Sequence, residues 1–276
     1  MVILKVINNN VVSASDENGN EVVVMGKGIG FKAKSGQAVP SDQIQKVFRM
    51  DNESSNKKLQ ELLRDVPPEH FQLTSEIIDS VKKIVDKKLN KNIYITLTDH
   101  VSFAIERYRK GLNFSNPLLF EVKMLYKKEF EAGKYALKLI QERTGIKLPE
   151  DEAASIALHI VNAEYNTQIG DMMNITKMIG KILNIVSDYY HIRLDQDSLN
   201  FERFVTHLKF FALRIYKNEK MEPDDAKFNK MIRKQYASEY ECSKKIAEFI
   251  KNEYHHEIQE EELIYLAIHI RRVTQK

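Results

Sequence analysis

Four histidines stand in two matched pairs, and they are the residues of this 276-residue chain whose spacing points most directly to chemistry. His100 is followed by Phe103, Ala104 and Arg107; His207 is followed by Phe210, Phe211 and Arg214. Downstream, Glu152, Ile156, Ala157, His159 and Ile160 match Glu262, Leu266, Ala267, His269 and Ile270 at a constant shift of 110, and Tyr126 and Phe130 match Tyr236 and Tyr240 at the same shift. The early histidines are 107 apart, so a three-residue indel separates the two matched blocks. Two copies of one helical domain of roughly 105 residues explain three matches in order, which chance similarity between amphipathic helices does not. An imidazole titrates near neutral pH and its unprotonated nitrogen is a nucleophile. A histidine on an apolar helix face is nevertheless more often a satisfied core residue, and a structural histidine duplicates as readily as a functional one.

Helices must carry these side chains. His100, Phe103, Ala104, Arg107 and Tyr108 follow i, i+3, i+4, i+7, i+8 spacing, and Glu152, Ser155, Ile156 and His159 share a face in the same way. Pro67-Pro68, Gly111, the Asn113-to-Pro117 stretch, Gly145 to Pro149, Gly170, and Glu222-Pro223-Asp224-Asp225 punctuate this helical part. Residues 1 to about 52 differ in kind. Val2 to Ile7 is rich in β-formers, and Val11 to Ala14 and Glu21 to Met25 flank an Asn18-Gly19 turn signal. Gly26, Gly28, Gly30 and Gly36 then supply positions where φ can be positive or another backbone can come close. With Ile44 to Met50 as a last strand, the expectation is a small four-stranded antiparallel sheet. So small a core is marginal alone and must dimerise or lean on a partner. The polar run Asn52 to Lys58 reads as a linker. The expected fold class is therefore multidomain: a small all-β domain over 1–56 including the linker, then two duplicated all-α helical-bundle domains over 64–170 and 171–276.

Composition narrows the classes further. Hydrophobic residues make up 43% and charged residues 29%, with a net charge of +3, so bulk charge does not announce a nucleic-acid binder. No 18-residue apolar run occurs; Phe204 to Tyr216 is interrupted by His207, Lys209 and Arg214. The N-terminus lacks a signal-peptide core, and the single cysteine, Cys242, rules out an internal disulfide framework and fits a reducing cytoplasm. Cys242 has no nucleophile's neighbours and reads as a passive core residue. No HExxH or comparable ligand cluster occurs, so a metal-dependent hydrolase is disfavoured and neither metal nor cofactor is expected. His255-His256 reads as a solvated helix end rather than a metal site.

Resemblance adds what spacing cannot. Lys5-Val6-Ile7-Asn8-Asn9-Asn10, Val24-Met25-Gly26-Lys27-Gly28-Ile29-Gly30-Phe31 and Ile44-Gln45-Lys46-Val47-Phe48 are similar to the co-antiterminator RNA-binding domain. The two repeats resemble the PTS regulation domains of the BglG/SacY/LicT family of antiterminators, and the wording is most similar to the LicT-like β-glucoside branch. Leu97-Thr98-Asp99-His100, Ala157-Leu158-His159-Ile160, Val205-Thr206-His207-Leu208 and Ile268-His269-Ile270 stand where that family has its phosphorylatable histidines. The resemblance implies a homodimer that binds an RNA hairpin in an operon leader and so prevents a terminator from forming. It implies inhibition through His100 and His159 by a sugar-specific PTS permease (enzyme II), activation through His207 and His269 by the phosphocarrier HPr, and no catalysis of its own. Phosphorylation adds about −1.5 to −2 charges and three acceptor oxygens. Such a group must find cations, for which Arg107 and Arg214 are candidates, or push an interface apart. Asp99 beside His100, against Thr206 beside His207, is an asymmetry that could give the two modifications opposite signs.

Residues 1–50 carry six basic side chains against four acids, a weak excess, so the case for RNA is geometric. Asn8 and Asn10 alternate along a strand, Lys27 sits between Gly26 and Gly28, Phe31 offers a stacking ring, and Lys5 adds a cation. Lys27 stands where many family members have Arg, and an ammonium lacks the bidentate fork. The bland alternative makes Phe31 core and the asparagines turn formers. A DNA-binding activator with the same regulatory domains is the rival reading; it needs a helix-turn-helix at the N-terminus, where this chain is β-rich.

Overall fold

The computed structural model describes residues 1–112, 114–219, 221 and 226–275. The expected break at Glu222 to Asp225, and Asn113 of the other one, lie outside the described residues. Strands β1 (Val2–Asn8), β2 (Val11–Ser15), β3 (Glu21–Met25) and β4 (Lys46–Phe48) form one antiparallel sheet in the order β1-β2-β3-β4. The Asp16-to-Asn20 turn forms as its sequence demands. Asp16 carboxylate oxygen Oδ1 accepts from the backbone N–H of Asn18 and Asn20, and Gly19 takes φ +80°.

Both faces of the sheet are covered, and β3 shows how alternation sorts them. Val22 and Val24 point into a cluster with Ile3, Val12, Ala14, Ile29 and Val39. Val23 and Met25 point the other way and join Val11, Phe48, Leu59, Leu63 and Phe71. The second face is closed by α1 (Glu53–Asp65), α2 (Pro68–Val85) and α3 (Ile93–Arg109). This corrects the reading of Asn52 to Lys58 as a linker. Asn52 caps α1 through its side chain, accepting from Ser55 N–H, and the polar residues on the inner face of α1 are buried and paired: Asn56 donates to Glu21 O, and Gln60 to Glu21 Oε1. Phe48 packs on Phe71 and Tyr94, with ring centroids 4.9 and 5.1 Å away. Lys46 Nζ reaches Asp79 Oδ2 and Ser75 Oγ, both at 2.6 Å. The small sheet therefore leans on helices of its own chain.

The helical part continues with α4 (Leu119–Leu125), α5 (Lys127–Thr144), α6 (Glu150–Tyr165), α7 (Ile169–Tyr190), α8 (Leu199–Lys217), α9 (Ala226–Gln235), α10 (Ala237–Tyr254) and α11 (Glu260–Thr274). The chain divides into two compact units: residues 1–119 with 126–169, and residues 120–125 with 170–276. The first unit holds the first repeat apart from residues 120–125, the second unit holds the second repeat, and the shift of 110 extends to their punctuation. Tyr126 and Tyr236 both precede a helix with non-helical backbone (φ −129°, ψ 52° and φ −118°, ψ 48°). Gly145 and His255 both end theirs in the left-handed conformation. His255 is thus an exposed helix end, and Cys242 is buried with its thiol pushed up to about 12 by burial. Among the described residues no helix is long and apolar enough to cross a membrane, and no group of three His, Cys, Asp or Glu could hold a metal ion.

The glycines divide by cause. A Cβ on Gly30 would lie 2.1 Å from Asn8 O, whereas Gly28 has φ +71° and open space around it. Gly28→Ala should cost about 1 kcal/mol of backbone strain. Gly30→Ala should cost more than about 3 kcal/mol, because the loop must move off β1. Amide exchange in β2 and β3 of the two variants measures this; equal losses would contradict it.

Candidate functional site

In each unit a guanidinium–carboxylate pair stands beside two stacked imidazoles. In the first, α3 carries His100 and Arg107 while α6 carries Glu152 and His159. Arg107 Nη2 pairs with Glu152 Oε1, and the other carboxylate oxygen, Oε2, lies 3.1 Å from His100 Nε2. The His100 and His159 rings are 4.8 Å apart and inclined by 37°. In the second, α8 and α11 supply the equivalents. Arg214 takes Glu262 bidentately, Nε to Oε1 at 2.7 Å and Nη2 to Oε2 at 2.9 Å, and the His207 and His269 rings are 3.7 Å apart, inclined by 32°. The i, i+7 spacing of His100 with Arg107 places both on one side of α3, and the same spacing of Glu152 with His159 places both on the facing side of α6. The structure thus brings together all four histidines as two pairs. It also shows that Arg107 and Arg214, the candidate cations for a phosphoryl group, are paired with Glu152 and Glu262.

The environments differ within the second pair, where His207 is half-buried and His269 is buried. In the first pair both rings are half-buried, and Nε2 of His100 and Nδ1 of His159 are sealed from solvent without a hydrogen-bond partner. Burial, and then the neighbouring His100, push the His159 imidazole down to about 3. Burial followed by His207 and Arg272 lowers His269 to about 4, and burial with Arg272 and Arg214 lowers His207. At about 3 and about 4, His159 and His269 are neutral at pH 7, as a nucleophilic imidazole must be. Phe103 and Phe210, expected on the apolar face, are 57% and 50% exposed beside the histidine-bearing surface.

One residue of the site, Tyr265, was not singled out from the sequence. Tyr265 Oη lies 3.1 Å from His207 Nδ1, and its ring meets both His207 and His269 edge-on at 5.1 and 4.9 Å. Its equivalent at the shift of 110 is Ser155, which instead accepts from Asn116 Nδ2 and donates to Asp151 O. The shift itself could have found this difference. Asp99 and Thr206, the asymmetry the sequence suggested, are both exposed, and Thr206 Oγ1 donates back to Glu202 O. A buried histidine outside the two pairs, His70, meets Ser102 Oγ through Nδ1 at 3.0 Å and is lowered by burial and Arg109.

At the N-terminal sheet, the β1–β2 turn and the glycine loop are laced together. Gly26 and Gly30 N–H donate to Asn10 O and Asn9 O, and Gly28 N–H to Asn10 Oδ1. Asn10 therefore lies in the turn and not on a strand with Asn8. Asn8 Nδ2 donates to Leu63 O at 2.8 Å, one of the last carbonyls of α1, so this asparagine serves the fold. Gly26 is buried against Gln43 O. Lys27 is exposed, Phe31 is 63% exposed with Lys32 Nζ 5.4 Å from its ring centroid, and Lys5 is exposed on β1 opposite Ser13. Phe31 is thus a surface ring and not core.

A four-stranded domain bearing an exposed ring and cations, joined to two helical repeats with paired histidines, defines an RNA-binding regulator with duplicated input domains. The comparisons agree: residues 1–57 match the CAT RNA binding domain, and residues 48–163 and 180–273 match the PRD domain. The chain is 48% identical over its full length, and the relative's, to the transcription antiterminator LicT of Bacillus subtilis. It is 41% identical over 99% of its length and 96% of the relative's to the beta-glucoside operon antiterminator of Dickeya chrysanthemi. A crystal structure of GlcT CAT-PRDI superposes with a TM-score of 0.53 at 36% identity, covering 59% of this chain and 97% of that one. The chain belongs to the BglG/SacY/LicT family of transcription antiterminators.

The lowered histidines make a pH prediction. A histidine whose folded pKa lies below its unfolded value of about 6.5 costs stability as pH falls between the two, by up to about 1.4 kcal/mol per pH unit. For His159 that window runs from about 6.5 to about 3. Glu164, raised to about 7 by burial and Glu129, acts in the opposite sense over the upper part of it. His159→Gln should therefore flatten the acid loss of stability of the first unit, read as unfolding midpoint from pH 7 to pH 4; an unchanged slope would contradict the buried neutral imidazole.

Proposed function

We propose that this protein, as a homodimer, holds an RNA hairpin in the leader of a sugar-utilisation operon, and that holding it prevents the overlapping terminator from forming. The exposed Phe31 carries this reading, since a large ring left 63% exposed between Lys27 and Lys32 on a tightly laced loop is suited to stacking on an unpaired base. The rest of the loop supplies rigidity: Gly28 opens the turn, and Asn10 fixes it from within.

Phosphorylated histidines set the activity. A sugar permease of the PTS modifies the first repeat and inhibits, and HPr modifies the second and activates. In the second pair the more accessible imidazole, His207, meets the donor first, and the buried His269 follows only after the stack opens. A phosphoryl group there adds about two negative charges next to a carboxylate already held by Arg107 or Arg214. That single guanidinium cannot neutralise both, so the α3–α6 or α8–α11 contact must rearrange.

For RNA binding the test is a titration of the full chain with the transcribed leader hairpin at physiological salt. Phe31→Ala should weaken binding about 10- to 100-fold, the worth of one stacked base. Lys27→Ala should weaken it less and reduce its salt dependence. Wild-type affinity in the Phe31→Ala variant would remove the stacking role.

A further inference from the structure

The two repeats hold their accessible histidines by opposite ring nitrogens. His100 Nε2 is sealed from solvent and faces Glu152 Oε2 at 3.1 Å, while the remaining oxygen of that carboxylate is taken by Arg107. The approach is bent rather than aligned as a hydrogen bond, but two lone pairs at that distance repel, so Nε2 must carry the ring proton. In a neutral imidazole the lone pair then resides on Nδ1. His207 is reversed. Its Nδ1 is the nitrogen in contact with Tyr265 Oη at 3.1 Å. If the phenol donated, Nδ1 would be blocked and Nε2 protonated, leaving no nucleophile; the reactive tautomer has Nδ1–H donating to the phenol oxygen and the lone pair on Nε2.

The cause is the use of one carboxylate. Arg214 takes both oxygens of Glu262, which leaves none for His207, and Tyr265 supplies the polar partner instead. In the first repeat Arg107 engages one oxygen of Glu152, and Ser155 is occupied by Asn116 and the Asp151 carbonyl.

We propose that the repeats are phosphorylated on different nitrogens, Nδ1 at His100 and Nε2 at His207, with Glu152 and Tyr265 as the positioning residues that decide it. This rests on the reading that these histidines accept phosphoryl groups. In the step, the free ring nitrogen attacks phosphorus and an N–P bond forms. The P–N bond to the donor, a phosphorylated imidazole of a carrier protein, breaks, and the donor ring keeps that electron pair. Each ring retains the proton on its other nitrogen, so no net proton moves. The new phospho-ring is cationic at that N–H, which a carboxylate holds at His100 and a phenol oxygen at His207. The two products therefore project the phosphoryl group from different edges of the imidazole. Matching helices thus present the same modification in two directions.

The test uses the full chain, ¹⁵N-labelled at histidine and treated with phosphoramidate, whose leaving group is ammonia. Two forms are compared: His207→Ala/His269→Ala, with the first repeat intact, and His100→Ala/His159→Ala, with the second intact. Peptide mass spectrometry locates the phosphohistidine, and long-range ¹H–¹⁵N correlations assign the nitrogen. Nδ1-phosphohistidine at His100 and Nε2-phosphohistidine at His207, the latter favoured by about tenfold as expected for one hydrogen bond, are the expected products. Tyr265→Phe keeps the ring packing and should abolish that preference at His207, a change of isomer ratio that a merely structural role would not produce. The same nitrogen in both repeats, or an unchanged ratio in Tyr265→Phe, overturns the assignment alone. Absence of phosphohistidine in both forms overturns the reading beneath it as well.

Discussion

Between α3 and α6, and again between α8 and α11, the arginine–glutamate pair is the interaction on which each regulatory domain depends. It is largely shielded, with Glu152 2% and Arg107 14% exposed in the first repeat, and Glu262 10% and Arg214 23% exposed in the second. Charges so placed cost several kcal/mol to desolvate and are tolerated only while paired, so removing one partner is far more damaging than the pair is stabilising. That makes the pair a register pin: it holds two helices at the spacing where their histidines stack. It also makes the site sensitive, since a new anion beside the carboxylate competes for a guanidinium that is already committed.

The N-terminal sheet obeys a different constraint. Its core is small, and one face is completed by α1, α2 and α3 through Phe48, Phe71 and Tyr94. Asn8 and Lys46 extend that contact, tying β1 to the end of α1 and β4 to α2. The glycine loop leaves Lys27 and Phe31 exposed. That loop and the helices α1, α2 and α3 are thus parts of one packed unit, and a change at the α3–α6 contact need not travel through a flexible tether to reach the sheet.

Much of this was legible in the sequence because it is written as periodicity. The shift of 110 predicted equivalent helices and carried over to their ends at Tyr126 and Tyr236, and Asn18-Gly19 announced the hairpin. Where sequence reasoning failed, polarity was taken for exposure. Asn52 to Lys58 looks solvated, yet Asn56 and Gln60 are buried because Glu21 offers them acceptors across the sheet, information that resides 35 and 39 residues away. In the site, the pairing of histidines followed from spacing, but the partners that orient them did not. Ser155 and Tyr265 differ at a matched position, and only the fold reveals that one reaches an imidazole and the other does not. The placement of both asparagines along one strand failed for a related reason: Asn10 lies in the turn and holds the glycine loop, and Asn8 donates to the end of α1.

The most direct test of the account is the affinity of the full chain for its leader hairpin when one repeat at a time is phosphorylated. It requires one titration series of unmodified protein, protein phosphorylated only in the first repeat, and protein phosphorylated only in the second. The account predicts weaker binding than the unmodified chain in the first case and tighter binding in the second. Shifts of the same sign, or no shift in either, would contradict it.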